Sequence, residues 1–137
     1  MPTTKLSAVN LVRATVDQDL KQVQRLLDSG ANANAVTGSG ATVLHTAAQG
    51  GAADIVELLL DHGAEVDGRD KYGKTALHCA AKAGHTDVIK LLIERGAAVN
   101  AMARNGAHPL DWAIKFEQTA IADYLITRGA ESGKALR

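Results

Sequence analysis

A Gly-Ala pair recurs at Gly30-Ala31, Gly63-Ala64, Gly96-Ala97 and Gly129-Ala130, each pair 33 residues after the one before it. No other feature of the chain restricts its fold as severely. A fixed period of this length means one supersecondary unit copied in tandem, too small to cover its own apolar stripe and dry only when stacked on the next copy. A second marker keeps the same register in Thr42-Val43-Leu44-His45, Thr75-Ala76-Leu77-His78 and His108-Pro109-Leu110-Asp111. A third follows it, because Ile55-Val56, Val88-Ile89 and Ile121-Ala122 precede Leu58-Leu59-Leu60, Leu91-Leu92-Ile93 and Tyr124-Leu125-Ile126. The unit is helix, short turn, helix, loop.

Each marker has a physical role. Thr42 and Thr75 can cap a helix through the hydroxyl, and Pro109 occupies a first-turn position where a missing N–H costs nothing. The glycine of each Gly-Ala pair follows an apolar-periodic run, where a left-handed residue closes the helix. The pattern predicts short helices over 42–49, 75–82 and 109–115, and longer ones over 53–62, 86–95 and 118–128. An earlier, partial unit holds Leu11, Ala14, Val23, Leu26 and Leu27 one period before Leu44, Ala47, Val56, Leu59 and Leu60, with no threonine at its head. Aromatic residues are only 3% of the chain, so its core is built from small and aliphatic side chains, which suits closely stacked helices.

The third unit resembles the ankyrin repeat in Asp70-Lys71-Tyr72-Gly73-Lys74-Thr75-Ala76-Leu77-His78, Ala80-Ala81, Gly84-His85 and Gly96-Ala97-Ala98-Val99-Asn100. The resemblance runs from about Leu6 to Ala130. It implies an all-α ankyrin-repeat solenoid of stacked helix-turn-helix pairs with hairpin-like connecting loops. The expected division is one domain over 1–130, with a capping repeat at 6–33, repeats at 34–66 and 67–99, and a second cap at 100–130. Residues 131–137 lack the period and are expected to form a frayed tail. The outer units depart from the pattern: Thr37 and Ala103 stand at the Asp70 position, His108 replaces the threonine, Asp111 the histidine and Glu117 the glycine. Solenoid ends must face water, and this degeneracy is what capping units require. Asp19, Gln22, Gln24 and Arg25 fit such a solvated cap.

Catalytic chemistry finds little support. Stacked units place His45 and His78 about 8–10 Å apart, too far to share a metal, so each imidazole is expected to bond its threonine and loop backbone. His62 and His85 fall at helix ends. Cys79 aligns with Thr46 and Trp112 on the first helices and has no nearby base, which makes it a packed thiol. Gly38-Ser39-Gly40 lacks the Lys-Ser/Thr of a phosphate loop and is expected to be a flexible fingertip. Glu57 and Asp61 belong to a solvated helix face. No residue is assigned a catalytic or metal-binding role, and no cofactor is expected.

Lys plus Arg and Asp plus Glu both number 15, which excludes a global field toward nucleic acid or anionic membrane. No run of about 18 apolar residues is present, Lys5, Asn10 and Arg13 interrupt any signal-peptide centre, and a single cysteine excludes an internal disulfide. A cytoplasmic monomer is the expectation.

The resemblance implies that partners lie against the loop tips and the exposed face of the first helices. Carried over position by position, these are Gly38, Ser39, Ala41, Gln49 and Gly50 in the second unit and Lys71, Tyr72, Lys74, Lys82 and Ala83 in the third. In the fourth they are Arg104, Asn105, Ala107, Lys115 and Phe116. Lys71, Lys74, Lys82, Arg104 and Lys115, with Arg69 nearby, would line one groove, while Asp54, Glu57, Asp61, Asp87, Glu94 and Asp123 lie on the second helices. Zero net charge therefore conceals a dipole. The expected partner is another protein presenting an acidic segment, with Tyr72 and Phe116 as anchors and Lys71, Lys74, Lys82, Arg104, Asn105 and Lys115 around them. Two alternatives stay open: single-stranded nucleic acid in the same groove, and a reconstructed scaffold without a native partner. Asn34 and Asn100 resemble the loop asparagine that such domains present to an asparaginyl hydroxylase, and the same residues can instead brace the turn.

Overall fold

Thr42 and Thr75 both cap helices, and the caps set the frame for everything that follows. In each, the hydroxyl oxygen accepts the N–H of the histidine three residues on, and that histidine's Nδ1 accepts the threonine N–H. The computed structural model describes residues 4–133; residues 1–3, and 134–137 of the expected tail, lie outside the described residues. The helices are α1 (Thr4–Val16), α2 (Leu20–Asp28), α3 (Val43–Gly50), α4 (Ala53–Asp61), α5 (Ala76–Ala83), α6 (Thr86–Glu94), α7 (Pro109–Lys115) and α8 (Thr119–Thr127). Among the described residues the only β-type pairing is an isolated bridge between Val36 and Thr42 at the base of a hairpin loop. The predicted helices are all present with ends shifted by one residue or less, and α1, at 13 residues, is longer than the 8-residue α3 and α5.

The helices form consecutive pairs, α1 with α2 through α7 with α8. The first helices α1, α3, α5 and α7 make one row, and α2, α4 and α6 make a second. Leu11, Leu44, Leu77 and Leu110, one per unit, are all buried, as are Val23, Val56, Ile89 and Ala122. Ala47, Ala48, Ala80, Ala81 and Ala113 are 0 or 1% exposed between the first helices, where only small side chains let backbones approach this closely. The chain is an all-α repeat fold.

The units are joined by polar contacts as well as by the core. His45 Nδ1 accepts the Thr42 N–H, so Nε2 carries the proton and donates to the Lys74 carbonyl of the next hairpin at 2.6 Å. His78 repeats this with Thr75 and the Ala107 carbonyl at 2.9 Å. In the fourth unit the residue in this place is Asp111, and the C-terminal segment folds back to meet it. Asp111 Oδ1 accepts the Ser132 hydroxyl at 2.6 Å, Asp111 Oδ2 accepts the Gly133 N–H at 2.7 Å, and the Glu131 N–H donates to Asn100 Oδ1 at 2.7 Å. This corrects the frayed tail expected from Glu131 onward: Glu131–Gly133 are tied to the fourth unit, because an acceptor at 111 turns the last exposed rim into a seat for backbone donors.

The departures at the hairpin tips are also answered locally. The three hairpins close alike, Thr37, Asp70 and Ala103 N–H donating to the carbonyls of Ala41, Lys74 and Ala107. Asp70 Oδ1 accepts the Tyr72 and Lys74 N–H groups, both at 2.9 Å. Ala103 has no such acceptor, and Asn105 Oδ1 takes the equivalent Ala107 N–H at 3.0 Å instead. In the second unit the Thr37 and Ser39 hydroxyls bond one another at 2.8 Å.

Candidate functional site

The histidines and the cysteine are occupied by the fold. His45 and His78 are 2 and 1% exposed with both ring nitrogens engaged. Burial holds the His78 pKa below the ordinary histidine value, outweighing the Ala107 carbonyl, which favours the charged form. The Cys79 thiol is pushed up to about 11 by burial, far from the thiolate a nucleophile needs. His85 Nε2 donates to the Gln49 carbonyl at 2.9 Å, and His62 lies 3.7 Å from Asp28. Among the described residues no His, Cys, Asp and Glu cluster could hold a metal ion, and no helix is long and apolar enough to cross a membrane. Asn34 and Asn100 brace the turns: their amides donate to the Gly63 and Gly129 carbonyls and their oxygens accept the Glu65 and Glu131 N–H groups.

The surface with uncommitted chemistry lies on α5, α7 and the two hairpins before them. Lys71, Tyr72, Lys82, Arg104, Asn105, Lys115 and Phe116 are exposed there and Lys74 is half-buried. Lys71 and Lys74 lie over the Tyr72 ring, with Nζ 5.2 and 5.6 Å from its centroid. Lys82 and Lys115 lie over both Trp112 and Phe116 at 5.4–5.9 Å. Trp112 and Phe116, one helical turn apart, stack at 5.8 Å with 20° between their planes. Each exposed contact of this kind is worth roughly 0.5–1 kcal/mol, enough to bias a lysine's position and too little to satisfy its charge. The groove continues over the second unit as Thr46, Gln49 and Gly50 with Val16 from α1, which carry no charge.

Three positions differ from the sequence reading. Ala107 is fully buried rather than exposed, because its carbonyl receives His78. Arg69, expected near the groove, is committed to the backbone, its Nη1 donating to the Gly73 and Met102 carbonyls, both at 2.7 Å, so it pins two hairpins together. Trp112, the only tryptophan, is central to the surface and was not among its expected members. Its alignment with Cys79 and Thr46 placed it on a first helix, and the signal lay in its size: a large ring cannot sink where the equivalent residues are Thr and Cys, so it stays at the surface.

The family profile described as ankyrin repeats (3 copies) matches residues 11–103 and, in an overlapping second register, 70–134. The chain belongs to the ankyrin-repeat family. A search of curated proteins found no matching relative. Ankyrin repeats are generally protein–protein interaction modules, in keeping with a chain whose histidines and cysteine are absorbed by the stack and whose free charges and rings face a shared groove.

Proposed function

We propose that this ankyrin domain is an interaction module, monomeric and intracellular, whose third and fourth units bind an acidic segment of another protein. One observation carries the reading. Lys74, Lys82, Arg104 and Lys115 converge with three aromatic rings on one face, and none of the four has an ion-pair partner among the described residues, where the pairs present are His62–Asp28 and Arg95–Asp61. Cations left unpaired beside aromatic anchors suit a partner that brings the carboxylates. An enzymatic reading of this groove would have to use Cys79 and His78, but burial pushes the Cys79 thiol up to about 11 and both His78 ring nitrogens are engaged. Single-stranded nucleic acid is the second reading, since phosphates and bases also suit cations and rings.

Fluorescein-labelled decaglutamate, followed by anisotropy at low ionic strength, tests it. A Lys74→Glu, Arg104→Glu double variant is expected to bind about tenfold or more weaker, the equivalent of roughly 1.4 kcal/mol. Equal affinity of parent and variant would remove the reading, and tighter binding of a ten-nucleotide oligothymidylate, falling steeply with salt, would replace it with the nucleic-acid one.

A further inference from the structure

Trp112 does not merely sit in the groove; it divides it. On one side lies a cavity of about 260 Å³ whose walls include Lys74, Lys82, Cys79 and Phe116. On the other lies one of about 330 Å³ bounded by Tyr72, Lys74, Arg104 and Asn105. Trp112 and Lys74 line both, and among the described residues neither cavity has an Asp or Glu in its wall. Each cavity thus offers two cations beside an aromatic ring, with the counter-charge missing. The indole Nε1 of Trp112 is shielded from solvent and has no hydrogen-bond acceptor among the described residues, an isolation that costs about 1–3 kcal/mol.

We propose that Trp112 makes the groove a two-seat reader, taking two carboxylate side chains at alternate positions of one extended acidic segment, one on each side of its ring. This rests on the acidic-segment reading above and specifies it. In an extended chain, residues two apart project the same way about 6.5–7 Å from one another, a spacing that spans a single side chain such as the indole. Adjacent acids point to opposite sides and fill one seat only. Lys74 faces both seats, Lys82 serves the first and Arg104 the second. A carboxylate arriving in the first seat competes with the rings of Trp112 and Phe116 for Lys82.

Because Trp112 is the only tryptophan, its fluorescence reports the site directly. The probes are nine-residue Gly/Ser peptides carrying two glutamates separated by one residue, two adjacent glutamates, or one glutamate. The alternate peptide is expected to bind about tenfold tighter than the adjacent one, although their charges are equal. A Trp112→Ala variant, confirmed as folded by circular dichroism and assayed with labelled peptides, merges the seats and is expected to lose the preference while keeping the charge attraction. Equal affinity of the parent for alternate and adjacent peptides, with both lost in Lys74→Glu, overturns the two seats and leaves the acidic groove standing. Failure of every glutamate peptide to bind at millimolar concentration overturns both, as does an oligothymidylate that binds more tightly than the best peptide.

Discussion

Four equivalent positions, Gln18, Gly51, Gly84 and Glu117, all adopt positive φ, at 54°, 76°, 87° and 58°. They show why a residue changes between inner and outer units. A Cβ on Gly51 would lie 2.6 Å from the His85 ring, and one on Gly84 2.7 Å from the Gln118 amide, so a side chain at either inner position must displace a neighbour as well as meet the conformational cost. Glu117 has no described unit stacked beyond it and keeps a side chain at the conformational cost alone. Replacing Glu117 by Gly should stabilise the protein by about 0.5–1 kcal/mol, the left-handed penalty less the extra entropy of an unfolded glycine. Gly84→Ala should destabilise it by roughly 1–3 kcal/mol. Urea denaturation measures both, and a neutral Gly84→Ala would contradict the left-handed strain at this position. His78 and Asp111 predict the pH dependence. Burial lowers the His78 pKa, so below about pH 6.5 the unfolded chain takes up a proton that the folded one refuses, and stability declines on acidification. Burial alone would raise the Asp111 pKa, but the bonds from Ser132, His108 and Gly133 outweigh it and hold the carboxyl low. Its contribution is complete above about pH 4 and is lost as pH falls further. A His78→Gln variant should flatten the stability profile between pH 7 and 5 and leave the more acidic limb unchanged.

At the scale of elements, the same logic makes α7 the hinge between fold and site. Its buried side carries Leu110, Asp111 and Ala113, and its outer side carries Trp112 and Lys115, with Phe116 as its C-cap. Asp111 is the residue through which Ser132 and Gly133 seal the fourth unit. An Asp111→Ala substitution leaves those donors and the His108 N–H without their acceptor, at a cost of about 1–3 kcal/mol, and amide exchange should accelerate in α7 and α8 before it does in α3. Uniform acceleration along the chain would show that the clasp is not local. The periodic helices were legible in the sequence because caps and apolar stripes are local statements, repeated until no other register survives. The exposure of Lys71, Tyr72, Lys82, Arg104, Lys115 and Phe116 was legible through the repeat alignment. The clasp was not, since Glu131-Ser132-Gly133 has no apolar period and its order comes from an acceptor twenty-two residues away at Asp111. Nor was the commitment of Arg69 to the backbone, where its guanidinium reaches the Met102 carbonyl one full unit on. Trp112 escaped because its importance lies in dividing two cavities, a relation among α5, α7 and two loops that no single stretch of chain expresses.

For the whole molecule, stacking in one dimension means that each unit is held only by its neighbours, so stability should fail from the ends inward. The two ends can be watched separately. Trp112 lies in the fourth unit, and its fluorescence reports that end, whereas far-ultraviolet circular dichroism sums all eight described helices. Leu125 is fully buried between α8 and the core, and Leu125→Ala should cost about 2–5 kcal/mol, charged mainly against the fourth unit. Fluorescence should then change at lower urea than circular dichroism, with units one to three still folded. Val23, fully buried in the first unit, gives the mirror experiment: Val23→Ala should let α1 and α2 melt first, so that circular dichroism begins to fall while Trp112 still reports a native groove. Coincident transitions in both variants would mean that the four units fold as one cooperative block. If the ends do separate, the fourth unit that carries Trp112 can loosen by itself, and loosening its contacts to Glu131–Gly133 should weaken acidic-peptide binding without any contact to the peptide.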